Sequence, residues 1–289
     1  MITDLHIHSK ASDGKLTFQE IFHEAKKRKL RFMAITDHDS ISCQPQAVIV
    51  AKKENIRYIS GVELNVTFSH PKYHEGKKVS LDFLGYQFDV RNQTFESKLE
   101  TIAKYREERA AKILNNLNKE FEKENMAALT DADLRHIEES VDGVLGRPHI
   151  ADYLVEKNIV KTRQEAFDKY LVKCDVPKYP IYLEEASNLI RGAGGKIVLA
   201  HPNDPHGTSL VALTKSLVEQ TEIIQEKMLP FIDGVECWHS RNTTETTNYY
   251  VAFAKKKQLI MTGGSDCHQK PTIMGSVQIP EWVANQFAQ

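Results

Sequence analysis

Leu5-His6-Ile7-His8-Ser9 is the segment that most constrains this chain. In an extended strand, side chains two apart leave the same face, so His6 and His8 project together. Two imidazoles converging at a strand end suit a divalent metal, although H-x-H alone also fits two unrelated polar residues on an exposed strand. The pattern recurs. Asp13 follows before Gly14, and an apolar run over 31–36 ends in Asp37-His38-Asp39. Later runs end in Gly61-Val62-Glu63, in Leu199-Ala200-His201 and in Gly264-Ser265-Asp266-Cys267-His268. Five predicted parallel strands thus place His, Asp or Glu at or just beyond their C-terminal ends, the face on which α/β barrels carry their active sites. A metal cluster explains that coincidence better than scattered loop residues do.

The rest of the chain agrees with a βα rhythm. Thr17-Phe18-Gln19-Glu20 fits a capping box opening a helix to about residue 29, and a second helix with Pro45 near its first turn precedes a strand over 58–66. Residues 64–68 and 79–86 can form a hairpin-like excursion. Residues 95–124 read as a long charged amphipathic helix, with shorter helices expected near 131–139, 148–157 and 163–171. Strands then return at 196–200, 232–238 and 259–262, separated by helical patterns. The expected architecture is α/β: one barrel domain from residues 1–94 and 183–289, interrupted by a helical subdomain over 95–182. Gly192-Ala193-Gly194-Gly195 lies between a helix and a strand, whereas a phosphate loop runs from strand to helix, so these glycines read as a helix stop.

Composition excludes several classes. The net charge is −1, without the basic surplus of a dedicated duplex binder. No apolar run approaches the roughly 20 residues that span a bilayer, and the first residues lack the basic and apolar regions of a secretion signal. The four cysteines (Cys43, Cys174, Cys237 and Cys267) are far apart and form no C-x-x-C pair. A disulfide framework is not expected, and the setting reads as reducing and cytoplasmic.

The motifs resemble the PHP (polymerase and histidinol phosphatase) superfamily, and most closely its nucleoside 3′,5′-bisphosphate and 5′-end oligonucleotide phosphatase branch. The likeness is carried by Asp4-Leu5-His6-Ile7-His8-Ser9 with Ser12-Asp13-Gly14, Ile35-Thr36-Asp37-His38-Asp39, Ser60-Gly61-Val62-Glu63 and Phe83-Leu84-Gly85-Tyr86. It continues through Gly146-Arg147-Pro148-His149, Ala193-Gly194-Gly195, Leu199-Ala200-His201-Pro202 and Thr262-Gly263-Gly264-Ser265-Asp266-Cys267-His268. The resemblance implies a distorted (β/α)7 barrel with a helical insertion and a site for two or three manganese, zinc or iron ions. It implies that His6, His8, Glu63 and Asp266 hold one ion, that Glu63 bridges to a second also held by His201, and that Asp13, His38 and His268 hold a third.

One position departs from the pattern. The related branch has His where this chain has Asp82. Aspartate is also a ligand, and its charge suits a harder ion such as manganese; His74 is the alternative, in a polar loop. The implied chemistry is attack on phosphorus by metal-activated hydroxide, with no separate base assigned. Asp37 and Asp39 are expected to receive imidazole N–H groups.

Arg147 and His149 are expected substrate contacts, although Pro148 also fits a plain helix start. His239 and Arg241 follow a strand and face the same end. Arg106 and Arg109 read as solvated or paired residues of the long helix, and His23, His70, His136 and His206 as surface residues. Cys267 should point away from the metals and be buried. The expected substrate is a small phosphorylated molecule, a nucleotide or short oligonucleotide, with neither a membrane nor obligatory duplex nucleic acid as partner. An amidohydrolase-type hydrolase and a non-catalytic metal- or nucleotide-binding module are the competing readings.

Overall fold

The computed structural model describes residues 1–270 and 272–287; residues 288 and 289, at the end of the predicted barrel segment, lie outside them. The first strands and helices alternate as β1 (Ile2–Asp4), α1 (Phe18–Lys27), β2 (Leu30–Met33), α2 (Gln44–Glu54) and β3 (Arg57–Tyr58). A long hairpin follows, β4 (Gly61–Phe68) and β5 (Val79–Tyr86). The helical stretch comprises α3 (Gln93–Lys123), α4 (Asp131–Glu139), α5 (Arg147–Glu156) and α6 (Arg163–Ala166), the last running into a π-helical turn, Phe167–Leu171. The chain then returns through α7 (Leu183–Gly192), β6 (Lys196–Leu199), α8 (Leu217–Lys227), β7 (Gly234–His239), α9 (Thr244–Lys257) and β8 (Ile260–Gly264).

Local signals account for the ends of these elements. Thr17 caps α1 in a full capping box with Glu20, which satisfies amides that the first turn leaves free. Asn55 stops α2 in the left-handed conformation. Gly194, at φ +81°, reverses the chain between α7 and β6, as expected for a helix stop.

Among the described residues the architecture is mixed α/β with two sheets. One is three-stranded in the order β1-β2-β3, and the other five-stranded in the order β4-β5-β6-β7-β8. All pairings in the first are parallel. In the second, β5 runs antiparallel to both β4 and β6. The expected strand over 58–66 is therefore two strands, one in each sheet. Glu63 sits near the start of β4 rather than at a strand's C-terminal end, and β4 continues into the hairpin.

Single bridges meet at both seams between the sheets. Ile7 bridges Cys267 and His38 bridges Glu63, both in parallel sense. At one seam the Asp266 amide donates to His6 O at 2.8 Å; at the other the Asp39 amide donates to Glu63 O at 2.8 Å. Two glycines allow this approach. A Cβ on Gly264 would lie 2.4 Å from the His6 amide nitrogen, and one on Gly61 would lie 2.4 Å from Ile35 O.

The helical stretch has an apolar cluster of its own, including Ile113, Leu117, Phe121, Ile150, Leu154 and Tyr170. The first turns of α3 do not belong to it: Phe95, Leu99 and Ile102 pack into the main sheet core. The stretch is tied to the loop after β1 by backbone bonds, from Val144 N to Ala11 O at 3.0 Å and from Asp142 N to Lys10 O at 3.3 Å. Among the described residues, no helix is long and apolar enough to cross a membrane.

Candidate metal centre

The strand ends converge. Glu63 is the hub: its Oε2 lies 3.4 Å from His6 Nε2, 3.2 Å from His8 Nε2 and 3.1 Å from His38 Nδ1, and its Oε1 lies 3.0 Å from His201 Nε2. Asp266 is the second hub. Its Oδ1 lies 3.4 Å from His6 Nε2, 3.3 Å from His8 Nε2 and 3.4 Å from His268 Nδ1. Asp13 lies 3.2 Å from His268 and 4.0 Å from His38. His6, His8, Asp13, His38, Glu63, His201, Asp266 and His268 thus enter one cluster. Asp82 joins it through its grouping with His38 and Glu63. It opposes Asn65 in the β4–β5 register and accepts a bond from the Asn65 amide. His74 is exposed and belongs to none of the ligand groups.

The backbone is held in place around these ligands. Asp266 and Asp39 adopt φ of +53° and +49°, and His201 +23°. Non-glycine residues in this region carry about 1–3 kcal/mol of strain, which persists only where neighbours over-determine the conformation. Here the His201 amide is fixed by Glu236 at 2.7 Å and the Asp266 amide by His6 O.

The donor set fits divalent cations. Six buried atoms in the cluster have no hydrogen-bond partner among the described residues: His6 Nε2, both ring nitrogens of His8, Glu63 Oε2, His201 Nδ1 and His239 Nε2. Buried polar atoms are normally paired, and these belong to or adjoin groups of imidazole and carboxylate donors with metal-like spacing. His8, Asp13, His38 and His268 form one such group; His6, His8 and Asp266 a second; His6, Glu63 and His201 a third. Imidazole and carboxylate oxygen together suit manganese, zinc and iron.

The electrostatics point the same way. Burial pushes the Glu63 carboxyl up, but the imidazoles of His38 and His6 outweigh it and hold it well below the usual range. Asp266 behaves likewise, with His268 and His6 as the counter-charges. Burial lowers the His8 imidazole, yet Asp266 and Glu63 carry it up to about 10. Asp82 is pushed up to about 7, by burial first and then by the Glu63 charge. The cluster therefore demands positive charge, which protons or metal ions can supply.

Several expectations are corrected. Asp37 and Asp39 meet no imidazole. Asp37 instead accepts from Ser9 N at 2.7 Å, Ser9 Oγ at 2.6 Å and Ser12 Oγ at 2.8 Å, so it shapes the loop that carries Asp13. Asp39 is turned away by its left-handed backbone and pairs with Arg106, with Nε at 3.0 Å. The partner of the His6 imidazole is Glu236, which the sequence reading missed: its Oε1 lies 3.0 Å from His6 Nδ1. A lone carboxylate inside the apolar run Val235-Glu236-Cys237-Trp238 was the available signal, because a buried charge requires partners. His70 is buried rather than superficial, and its Nε2 lies 3.1 Å from Glu226.

The expected substrate contacts divide. His149 has both ring nitrogens engaged, with Gly146 N at 3.0 Å and Ser12 O at 2.7 Å, so it clasps the helical stretch to the Asp13 loop. His239 is buried, with Nε2 3.4 Å from Asp266 Oδ2, and groups with Asp204 and Asp266 among potential ligands. Arg241 pairs with Asp204 and reaches Asp266 at 3.6 Å. Arg147 lies over the Phe167 ring and 2.8 Å from Asp175. It lines a cavity of about 270 Å³ together with Arg106, Arg109 and Lys178 and with Asp13, His38 and Asp82. Arg106 and Arg109 are paired as expected, yet they face this cavity rather than bulk water, and His206 stands at its edge. Cys267 is buried in the apolar cluster of α1, β2 and α2, as expected.

An α/β scaffold with this His, Asp and Glu cluster defines a metal-binding hydrolase. The PHP domain family matches residues 4–184, and the chain belongs to that family. It is 28% identical over 272 residues to a 3′,5′-nucleoside bisphosphate phosphatase of Chromobacterium violaceum, covering 92% of this chain and 86% of the relative. It is 32% identical over 206 residues to a 5′-3′ exoribonuclease of Haemophilus influenzae, covering 69% and 68%. A Bifidobacterium adolescentis structure described as a metal-dependent phosphoesterase superposes with a TM-score of 0.80 at 27% identity, over 98% of this chain and 94% of the other. The chain is a metal-dependent phosphoester hydrolase.

Proposed function

We propose that this protein hydrolyses a phosphate ester of a nucleotide that carries a second phosphate, or of the 5′ end of an oligonucleotide. The observation that carries this reading is one cavity lined both by the ligand-type residues Asp13, His38 and Asp82 and by the cations Arg106, Arg109, Arg147 and Lys178. A substrate with two phosphates suits a lining that offers both candidate metal ligands and cationic groups. Two carboxylates, Asp39 and Asp175, offset part of the cationic wall and leave it positive.

In this reading His6, His8, Glu63 and Asp266 hold one ion, Glu63 and His201 a second with Asp82 beside it, and Asp13, His38 and His268 a third. Such ions, when bound, lower the pKa of a coordinated water and offset charge on the phosphate oxygens. The chain's own groups do the positioning. Glu236 fixes the His6 ring and the His201 backbone, and Asp37 orders the loop that presents Asp13. Arg147 has the planar fork that binds phosphate in two-point contact. His239 faces Asp266 from the far side and bounds the site there.

The architecture is read as a distorted (β/α)7-type barrel over 1–94 and 183–289, with 95–182 as a helical cap. The seam bridges at Ile7 and His38, and the separate apolar cluster of the cap, favour it. A cytoplasmic setting belongs to the same reading, since all four cysteines are free and buried.

The test is phosphate release by protein loaded with manganese, zinc or iron. Adenosine 3′,5′-bisphosphate and a short 5′-phosphorylated oligonucleotide are expected to be cleaved at rates well above histidinol phosphate. Full metal occupancy with no release from any substrate contradicts the reading and favours a non-catalytic metal-binding module.

A further inference from the structure

We propose that a second cavity beside the metal centre is a groove for the continuing backbone of a single-stranded oligonucleotide. The inference rests on the phosphoesterase reading above and deepens its oligonucleotide branch by assigning a place, and two contact residues, to the strand beyond the terminal nucleotide. This cavity, of about 600 Å³, lies between the loop after β1 and the helical stretch. Asp13 and His149 line both this cavity and the metal cavity, so the two meet at the Asp13 end of the ligand cluster.

Its chemistry suits a repeating anion. Lys10, Lys15, Arg163 and Lys270 line it against the carboxylates of Asp152 and Glu156, with Asp13 belonging to the metal cluster. Lys15 and Arg163 share Asp152, and Glu156 lies 3.3 Å from His136. Lys10 and Lys270 are exposed and enter no ion pair among the described residues. They act at a distance on Glu20, whose carboxyl is held low first by the Thr17 amide and hydroxyl and then, more weakly, by Lys270 and Lys10. Two exposed cations without a close ion pair, lining a polar trough, are placed to meet phosphates, since phosphate contacts dominate nucleic-acid affinity.

The strand path follows. The terminal nucleotide occupies the metal cavity with its free phosphate on the Arg147 side, and the scissile phosphodiester lies at the ligand cluster. The remaining strand passes Asp13 and His149 toward Lys10 and Lys270. Water supplies the attacking oxygen. The bond from phosphorus to the departing nucleoside oxygen breaks, its electron pair stays on that oxygen, and one proton of the water ends there. The other proton is released from the new phosphate.

The experiment compares metal-loaded wild type with a Lys10→Glu/Lys270→Glu double variant on two substrates: adenosine 3′,5′-bisphosphate and 5′-phosphorylated penta-adenylate RNA. Thermal midpoints check that both proteins are folded. The expected result is at least a tenfold fall in the ratio of pentamer to bisphosphate kcat/KM. The salt dependence on the pentamer should also flatten by about 1.4 in log-log slope, from two lost contacts at about 0.7 each. Equal loss on both substrates, or no loss on either, overturns the inference. So does a wild type that cleaves the bisphosphate and leaves the pentamer intact, although the function reading then stands. Loaded wild type inactive on both overturns the function reading and this inference with it.

Discussion

Glu236 holds His6 from behind: its Oε1 lies 3.0 Å from His6 Nδ1, and its Oε2 accepts the His201 amide at 2.7 Å. One buried carboxylate therefore orients two ligand-bearing strand ends and leaves His6 Nε2 free to face Glu63 and Asp266. Glu236→Gln replaces one acceptor oxygen with a donor amide that cannot satisfy both bonds. Metal affinity is expected to fall about 10- to 100-fold, the usual effect of losing such a supporting partner. Titration of the apo variant with manganese, followed by calorimetry, checks this; unchanged affinity contradicts the role.

Metal removal should lower stability. Glu63, Asp266, Asp13 and Asp82 are packed into one cluster with imidazoles as their counter-charges. A ligand present at 100 times its Kd stabilises the folded state by about 2.7 kcal/mol, and for a protein of this size each kcal/mol moves Tm by about 2–4 °C. Chelation is therefore expected to lower Tm by roughly 5–10 °C, restored on adding metal back. A scan with and without chelator reads this directly, and coincident transitions contradict it.

Asp82 should set ion preference. It is 4% exposed, accepts a bond from Asn65 and groups with His38 and Glu63. An added carboxylate favours a harder cation, whereas imidazole favours zinc. Asp82→His is expected to shift the manganese-to-zinc binding ratio toward zinc by about tenfold or more. Elemental analysis after equilibration with equal concentrations of both ions measures the shift. An unchanged ratio removes Asp82 from the metal centre.

Arg147 should act on substrate binding. Hydrogen bonds to charged groups contribute about 1.5–3 kcal/mol, which corresponds to roughly a 10- to 150-fold change in affinity. Arg147→Ala is expected to raise KM for the bisphosphate within that range while lowering kcat less. Steady-state kinetics separates the two, and an unchanged KM assigns Arg147 to holding Asp175 and Phe167 alone.

Much of this centre was legible because strands impose a period of two and parallel βα units bring their ends together. His6, His8, His38, His201, Asp266 and His268 follow from those two rules. Glu63 was expected at a strand end and lies near the start of β4 instead, because a break at Ile59-Ser60 that transfers the chain between sheets has no strong local signal. Asp37 and Asp39 were assigned partners from adjacency to His38. In the structure the φ of Asp39 turns its side chain toward Arg106, a residue distant in sequence, and Asp37 is claimed by Ser9 and Ser12. The role of His149 was hidden for the same reason: its partner is the Ser12 carbonyl, and a backbone atom carries no residue signature. Contacts made through periodicity were readable, and contacts made through tertiary packing were not.

The central claim is that side chains from distant strand ends share cations and that phosphoester hydrolysis depends on them. Elemental analysis of purified wild type and of a His6→Ala/Asp266→Ala variant, paired with phosphate release from adenosine 3′,5′-bisphosphate, tests it most directly. Wild type is expected to retain tightly bound divalent metal and to turn over, and the folded variant to lose metal and activity together. A wild type that holds no tightly bound metal yet turns over, or a variant whose turnover equals wild type, would contradict it.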